Sequence, residues 1–281
     1  MVNMSAMGQT GPWKDFVAFG PTLQALSGIT YLTSFPQDSP MGLGYAYADL
    51  IAGLYAAFSV LAALEYRDRT GRGHYIDLSE YEAICTLMGP TLLDVFLNQK
   101  EVGPQGNRPD DLLAALYGCY GCSGTERWCV IAVFDEVEWQ ALCGVLGHPA
   151  WTKEERFSTL SKRKEHAEAL DDLLGQWTVQ HTPEEIVNLL QEVGVSAALV
   201  QNAEDLAKDP QLMSRDFFIH LDHPFLGETI SDTSPIKFKE PSTADWKAVP
   251  LLGEDNRYVY MELLGLTEGE LSSYIERGII G

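Results

Sequence analysis

One carboxylate in a long apolar stretch is the most chemically suggestive residue of the chain. Residues 48–64 are rich in alanine and leucine, and Asp49 is their only charged side chain. Apolar residues at almost every position predict a helix that is buried on most sides. Asp49 would lie in the first turn, where backbone N–H groups and the helix dipole hold a carboxylate as an anion. An N-cap role is the alternative, so this stretch alone does not identify an enzyme.

The cysteine and histidine pairs are weaker chemical candidates. Cys119 and Cys122 have the spacing of a redox site or half a zinc site, but no second matched pair follows. Five cysteines, an odd number, argue against a disulfide framework. His220 and His223 have no further ligand close in sequence and are interpreted as a strand-end pair. We therefore expect no bound metal.

Composition limits the function classes. With 281 residues, 46% of them hydrophobic, the chain predicts a globular protein of one large or two smaller domains. The 19 Lys and Arg residues against 40 Asp and Glu give a formal charge of −21, which argues against nucleic-acid and acidic-membrane partners. Residues 1–5 lack the basic start of a signal peptide, and no stretch is a convincing membrane span. We expect a cytoplasmic protein.

The elements that would position Asp49 alternate between strands and helices. The pattern predicts a strand at residues 2–7, a glycine turn at 8–12, a helix at 15–26 limited by Pro21, and a strand at 29–33. After the Asp49 helix, residues 75–78 are strand-like. Ser79 and Glu82 form a capping-box pattern before a helix that reaches about Asn98 and that Pro90 kinks. This order is typical of an α/β layer with a parallel sheet.

Three further regions follow. Residues 99–111 are a polar, glycine-bearing linker. Residues 112–200 predict a compact α+β domain with strands at 117–122, 128–133 and 195–200 and helices at 136–146, 162–177 and 183–192. Residues 201–281 contain proline-bounded pieces around a strand at 217–221, a helix ending at Leu264 and a last helix capped by Thr267 and Glu270.

Short motifs along the whole chain carry a family resemblance. They are Gly8-Gln9-Thr10-Gly11-Pro12, Ala25-Leu26-Ser27-Gly28, Ala48-Asp49, Thr70-Gly71-Arg72-Gly73, Ile76-Asp77-Leu78-Ser79, Gly106-Asn107, Gly194-Val195, Asp222-His223-Pro224 and Pro250-Leu251-Leu252-Gly253-Glu254. In this order, they make the chain resemble the family III CoA-transferases, which include formyl-CoA and carnitine CoA-transferases. The resemblance implies an α/β fold. Residues 1–98 would be the latter part of a Rossmann-like large domain, 112–200 an inserted small α+β domain, and 201–281 a segment returning to the large domain.

The resemblance also implies a site and a reaction. Asp49 would be the nucleophile that moves CoA between an acyl-CoA and a free carboxylic acid, through an aspartyl anhydride and an aspartyl-CoA thioester. Gly106 and Asn107 would form the flexible loop over these intermediates, with Arg108 able to meet a carboxylate. The residues expected to contact coenzyme A are Gly8, Gln9, Gly11 and Arg72. No metal is implied, and family members form interlocked dimers.

Departures from the family pattern define the alternatives. Family members begin with a Rossmann-like half that has no counterpart here, so we expect either a truncated chain or a second subunit that supplies it. A non-catalytic or complementing subunit of a hetero-oligomeric CoA-transferase is therefore one alternative. The formyl-CoA branch carries a lysine where Val17 stands. The α-methylacyl-CoA racemase branch needs a histidine where Phe19 stands, so racemase activity ranks below CoA transfer.

Overall fold

The computed structural model describes residues 1–104, 106–107, 114, 116–239 and 246–280. These residues form two units, Met1–Val200 and Gln201–Gly281, and each is described here by itself. The first unit contains helices with a two-stranded parallel sheet and a three-stranded antiparallel sheet. This mixed arrangement confirms the α/β class in its general form. The Rossmann-like detail and the division at residues 98, 111 and 200 stay predictions.

Residues 1–98 are built around a parallel strand pair. Strand β1 (Val2–Ser5) pairs with β2 (Ile76–Ser79) in a register that runs from Val2 opposite Ile76 to Ser5 opposite Ser79. Parallel strands need a long crossover, and here it contains α1 (Gly20–Leu26), α2 (Ile29–Leu32) and α3 (Tyr47–Thr70). Helix α4 (Glu80–Cys85) follows β2 directly, and a 3₁₀ turn at Thr86–Met88 links it to α5 (Gly89–Asn98).

A small apolar core joins these elements where β1 ends. Met7, Leu23, Ala48 and Ile84 are buried together, which brings the segment after β1 into contact with α1, α3 and α4. Leu23 and Ile84 are fully buried, and burying such a side chain stabilises a fold by about 1.5–3 kcal/mol. Helices α1, α3 and α4 are thereby held next to one another.

Helix α3 has the predicted position but not the predicted burial. Gly71, with a φ of +69°, ends it and donates its N–H to the Arg67 carbonyl at 2.7 Å. Its only buried residues are Ala48 and Ala52, so the expectation of burial on most sides is wrong for the part of the chain that the structure describes. Helix α3 is also long and apolar enough to cross a membrane. Length and composition alone do not identify a membrane span, because core helices of soluble proteins meet the same criterion.

The segment before α3 corrects two predictions. The strand predicted at 29–33 is wrong, because residues 29–32 form helix α2 and Thr33 is its C-cap, although Ile and Thr favour strands. The hydroxyl groups of Thr33 and Ser34 each donate to the carbonyl four residues earlier, at 2.8 and 2.7 Å, so local hydrogen bonds satisfy a helical backbone here. Helix α1 begins at Gly20, five residues later than predicted, and Pro21 occupies its first turn, where proline is tolerated.

The second part of the first unit is an antiparallel sheet covered by helices. Strands β3 (Leu116–Gly121), β4 (Trp128–Val133) and β5 (Ser196–Leu199) lie in that order, which confirms all three predicted strands. The sheet is covered by α6 (Glu136–Val145), α7 (Leu160–Glu165), α8 (Ala167–Thr178) and α9 (Pro183–Glu192). Trp139, Leu170 and Ile186 from these helices and Phe157 from a 3₁₀ turn are fully or almost fully buried in the core. The helix predicted at 162–177 is divided at His166 into α7 and α8.

The second unit begins with α10 (Ala203–Ala207) and α11 (Pro210–Ser214). Strands β6 (Phe218–His223) and β7 (Gly227–Asp232) then form an antiparallel hairpin, of which only the first strand was predicted. A helix with π-type hydrogen bonds follows at Arg257–Leu263, and α12 (Glu268–Glu276) closes the unit. The predicted capping box is confirmed, because Thr267 accepts from the Glu270 N–H and the Glu270 carboxylate accepts from the Thr267 N–H.

Candidate active site

The candidate site lies at the carboxyl ends of β1 and β2. The Tyr81 N–H donates to the Ala6 carbonyl at 2.9 Å, which ties the start of α4 to the end of β1. Helix α3 begins at the same edge, since Ala48 packs against Met7 and Ile84. In open α/β sheets, ligands bind in the crevice beyond the carboxyl ends of the strands. Asp49 and Glu80 are carboxylates in the first turns of two of these helices.

Asp49 is exposed and has no polar partner within the described part of the chain. It is the third residue of α3 and is exposed, whereas Ala46 is the N-cap, so the N-cap interpretation of Asp49 is wrong. Among the described residues, its carboxylate has no hydrogen bond or ion pair, which differs from the expected hold by backbone N–H groups. The positive end of the α3 dipole still favours a negative charge in this turn. The side chain is therefore a carboxylate that a ligand can approach.

Gln24 holds the helix that carries Asp49. The Ala46 side chain cannot cap α3, and the buried side-chain oxygen of Gln24 instead accepts the Tyr47 N–H at 3.1 Å. Gln24 lies in α1, so one of the free N–H groups at the start of α3 is satisfied from a neighbouring helix. Sequence reasoning missed this residue, because nothing local links positions 24 and 47.

Glu80 places a second carboxylate near Asp49. Burial raises the pKa of the Glu80 carboxyl above its usual value, and the negative charge of Asp49 raises it further. Glu80 is the first residue of α4, after the Ser79 N-cap whose Oγ accepts the Glu82 N–H at 3.2 Å. Sequence reasoning missed Glu80, because the capping-box pattern at this helix start depends only on Ser79 and Glu82.

We expect Glu80→Gln to change the pH dependence of stability. A carboxyl with a raised folded-state pKa binds more protons in the folded than in the unfolded protein, so stability falls as pH rises above 4.5, the ordinary value. The variant should lack this fall, and its unfolding free energy should exceed that of the wild type at pH 7 but not at pH 4. Urea unfolding at both pH values measures the difference. Glu82→Gln, in the same turn of α4, is the control, and an equal change in both variants would contradict the prediction.

The glycine turn after β1 is tied to β2. Gly8 and Gly11 have φ values of +81° and +86°, which confirms the predicted turn with glycine-type backbone angles. The Gln9 N–H donates to both carboxylate oxygens of Asp77 at 3.1 Å, and the Gln9 side chain donates to Ser5 Oγ at 3.0 Å. Asp77 thus fixes the turn beside the candidate site. Contact of this turn with coenzyme A stays a prediction.

The predicted substrate loop is anchored to a different segment. The Gly106 N–H donates to the Ser34 carbonyl at 3.1 Å, and Gly106 has a φ of +57°. Asn107 lines a cavity of about 340 Å³ on the outer face of the β3–β4–β5 sheet, together with Tyr117 and Cys119. No hydrogen bond or ion pair among the described residues joins the loop to Asp49, and Arg108 lies outside the described residues.

The structure separates Arg72 from Asp49. Arg72 lies two residues after the end of α3, and this helix of 24 residues is about 36 Å long. Arg67 and Arg69, in the last turn, pair with Asp68 and Glu65. The contact between Arg72 and coenzyme A stays a prediction, and it would lie far from the Asp49 carboxylate.

The other chemical candidates make local contacts. The five cysteines are free, and the Cys122 thiol contacts the Tyr120 carbonyl at 3.6 Å. His220 pairs with Glu228 at 2.8 Å, and His223 Nδ1 accepts backbone N–H groups. Within the described ranges, no group of three or more His, Cys, Asp or Glu side chains is arranged to hold a metal ion.

Comparisons with known proteins point to one family. The model for CoA-transferase family III matches residues 1–256. The succinyl-CoA–D-citramalate CoA-transferase of Chloroflexus aurantiacus is 32% identical over the whole chain and 69% of its own length. The beta subunit of the succinyl-CoA–L-malate CoA-transferase from the same organism is 25% identical, with the same coverage. A solved CaiB/BaiF family protein from Brucella suis is 27% identical with a TM-score of 0.83, over 93% of this chain and 67% of that one.

Proposed function

Because the chain belongs to CoA-transferase family III, we propose that it moves coenzyme A between an acyl-CoA and a free carboxylic acid with Asp49 as the nucleophile. The observation that carries the assignment to Asp49 is its exposed carboxylate, unpaired among the residues that the structure describes, at the edge where β1 and β2 end and α3 begins. The named relatives are CoA-transferases, which supports the reaction class. The acyl donor and the acceptor acid are left unassigned.

The chemistry requires a carboxylate that is free to form covalent bonds. The Asp49 carboxylate attacks the thioester carbonyl, giving a mixed anhydride and the CoA thiolate. The thiolate then attacks the aspartyl carbonyl, which releases the first acid and leaves an aspartyl-CoA thioester. An incoming carboxylate attacks this thioester, which forms a new anhydride and expels the CoA thiolate. The thiolate then attacks the substrate carbonyl of that anhydride, which gives the new acyl-CoA and frees the Asp49 carboxylate. Each step regenerates a carboxylate or a thiolate, so no net proton transfer is required.

The other predicted site residues have supporting roles in this proposal. The loop of Gly106 and Asn107 covers the intermediates and excludes water, which would hydrolyse them. Arg108 meets a substrate carboxylate, and the turn of Gly8, Gln9 and Gly11 contacts coenzyme A. The cavity beside Asn107 supports a ligand near this loop, because apolar pockets with a few polar groups are the usual form of a binding site.

Two alternatives have less support. A non-catalytic or complementing subunit is favoured by the printed name of one relative, which is a beta subunit. An intact and accessible Asp49 argues for a catalytic chain. The racemase is disfavoured because Phe19 has no ionisable group where that activity needs an imidazole.

Hydroxylamine trapping tests the proposed function. The protein is incubated with a panel of acyl-CoA thioesters, quenched with hydroxylamine and digested, and the peptide that contains Asp49 is analysed by mass spectrometry. A hydroxamate on Asp49 with acyl-CoA, and none with free coenzyme A, is the expected result. Absence of label with every thioester, with and without any co-purifying subunit, would favour the non-catalytic alternative.

Assembly and location follow as further parts of the proposal. We expect a homodimer or a hetero-oligomer of a cytoplasmic enzyme, with no nucleic-acid or membrane partner. Sedimentation of the purified protein, with mass spectrometry of whatever co-purifies, distinguishes the two kinds of assembly.

A further inference from the structure

Gly20 lies against the side chain of Asp49. A Cβ built on Gly20 would be 2.9 Å from Asp49 Oδ1, 2.7 Å from Ala46 Cβ and 3.0 Å from Ala46 Cα. Side chains do not tolerate contacts below 3.0 Å, so any larger residue would displace Asp49, Ala46 or both. The φ of Gly20 is not positive. Glycine is therefore required here by the close approach of α3 and not by backbone conformation.

Helix α1 holds the start of α3 at two points on one face. Gly20 and Gln24 are four residues apart, so they share a face of α1. Gly20 contacts the N-cap residue and the carboxylate, while Gln24 accepts the Tyr47 N–H at 3.1 Å. Both Gly20 and Gln24 are buried. The position of the Asp49 carboxylate thus depends on how closely α1 approaches.

We propose that Gly20 is a positioning residue for the CoA-transfer reaction: its lack of a side chain lets α1 lie directly against Asp49 and determines where the attacking oxygen points. This inference rests on the proposed function of Asp49. A nucleophile must approach the thioester carbon to about 3–3.5 Å, and a misplacement of about 1 Å can reduce the rate about 10²-fold. Relief of the 2.9 Å contact requires a displacement of this order.

The chain contains a matched control for this position. Helix α5 begins with Gly89-Pro90-Thr91-Leu92, the same four residues that begin α1 at Gly20-Pro21-Thr22-Leu23. Each glycine is the first residue of its helix. A Cβ on Gly89 would meet no atom within 4 Å. Gly89→Ala therefore makes the same local change without the contact to Asp49.

The test compares the rates at which Asp49 is acylated. Single-turnover hydroxylamine trapping should show that Gly20→Ala forms the Asp49 hydroxamate about 10–100 times more slowly than the wild type. The KM for acyl-CoA should change less than about twofold, because the substrate groups remote from Asp49 are untouched. Gly89→Ala should keep the wild-type rate within about twofold. A Gly20→Ala rate equal to that of Gly89→Ala would overturn the inference.

A second variant separates positioning from packing. Gly20→Ala combined with Ala46→Gly removes the 2.7 Å contact between the two Cβ atoms but keeps the 2.9 Å contact with Asp49 Oδ1. The double variant should unfold at a higher temperature than Gly20→Ala, because this contact is gone, while its rate of Asp49 acylation should stay as low as that of Gly20→Ala. Recovery of the rate together with stability would show that Gly20 acts only through packing. If the wild type itself gives no hydroxamate, the proposed function fails, and this outcome is distinct from either result for Gly20.

Discussion

Replacing Asp49 with asparagine is expected to reduce CoA transfer by about 10⁴-fold or more, the loss typical of removing a covalent nucleophile. An amide has no ionised oxygen to attack a thioester, so neither the anhydride nor the aspartyl-CoA intermediate can form. Because Asp49 is exposed and has no hydrogen bond among the described residues, the fold should be almost unaffected, within about 0.5 kcal/mol. Steady-state transfer assays and urea unfolding measure the two effects.

Two further variants sharpen this test. Asp49→Glu keeps the carboxylate but moves it by one methylene, so it should retain some activity and still give a hydroxamate. Glu65→Gln removes an exposed acid near the other end of α3, where it pairs with Arg69 at 2.6 Å, and should leave transfer unchanged. An Asp49→Asn enzyme within tenfold of the wild type, with mass spectrometry confirming the amide, would exclude Asp49 as the nucleophile.

The sequence predicts the elements around Asp49 well where the signals are local. A continuous apolar run locates α3, although the helix continues beyond that run to Thr70, and the Ser79 pattern locates the start of α4. Burial of α3 is not predictable in the same way, because it depends on which other segments pack against the helix. The strand predicted where α2 lies is also wrong, because the β-branched side chains of Ile29 and Thr30 favour a strand only when a partner strand is available.

The geometry of the site depends on contacts between distant residues, which the spacing of residues along the chain does not predict. Gly20 and Glu80 lie about thirty residues before and after Asp49, and only the packing of α1 and α4 on α3 brings them close. Gly20-Pro21 is a recognisable helix start, yet Gly89-Pro90 has the same appearance and no such contact. The loop of Gly106 was predicted to lie at the site, but its described hydrogen bond is to the Ser34 carbonyl, in the segment after α2.

The second large effect is expected at Arg163, in the core of the antiparallel part of the first unit. Its guanidinium is fully buried, pairs with Glu136 at 2.8 Å, donates to the Phe157 carbonyl at 3.0 Å and lies 4.6 Å from the ring centre of Trp139. Arg163 Nε has no hydrogen-bond partner among the described residues. A buried charge of this kind stabilises the fold only through partners that surround it closely.

Arg163→Ala should therefore lower the free energy of unfolding by about 3 kcal/mol, since it removes the ion pair and the ring contact and leaves a cavity. Arg163→Met should lower the free energy of unfolding by less, because methionine fills the space and the Nε that has no partner among the described residues is removed. Urea unfolding followed by tryptophan fluorescence measures both, with Arg163→Ala compared against Arg156→Ala. Arg156 has the same kinds of contact, to Glu154 at 2.7 Å and to the Phe157 ring at 4.7 Å, but is 40% exposed. Its loss should cost less than about 1 kcal/mol.

The contribution of the Arg163–Glu136 ion pair to the free energy of unfolding should depend on pH. Burial raises the pKa of the Glu136 carboxyl, but hydrogen bonds from Gln140 and Arg163 and the charge of Arg163 outweigh it, so the pKa lies below the usual 4.5. A carboxyl with a depressed folded-state pKa contributes stability above its unfolded-state value and loses it as pH falls through the folded-state value. The difference in unfolding free energy between the wild type and Arg163→Ala should thus become smaller below pH 4.5. A gap that is constant with pH would show that the cost of Arg163→Ala comes from the cavity and the ring contact alone, because neither of these titrates.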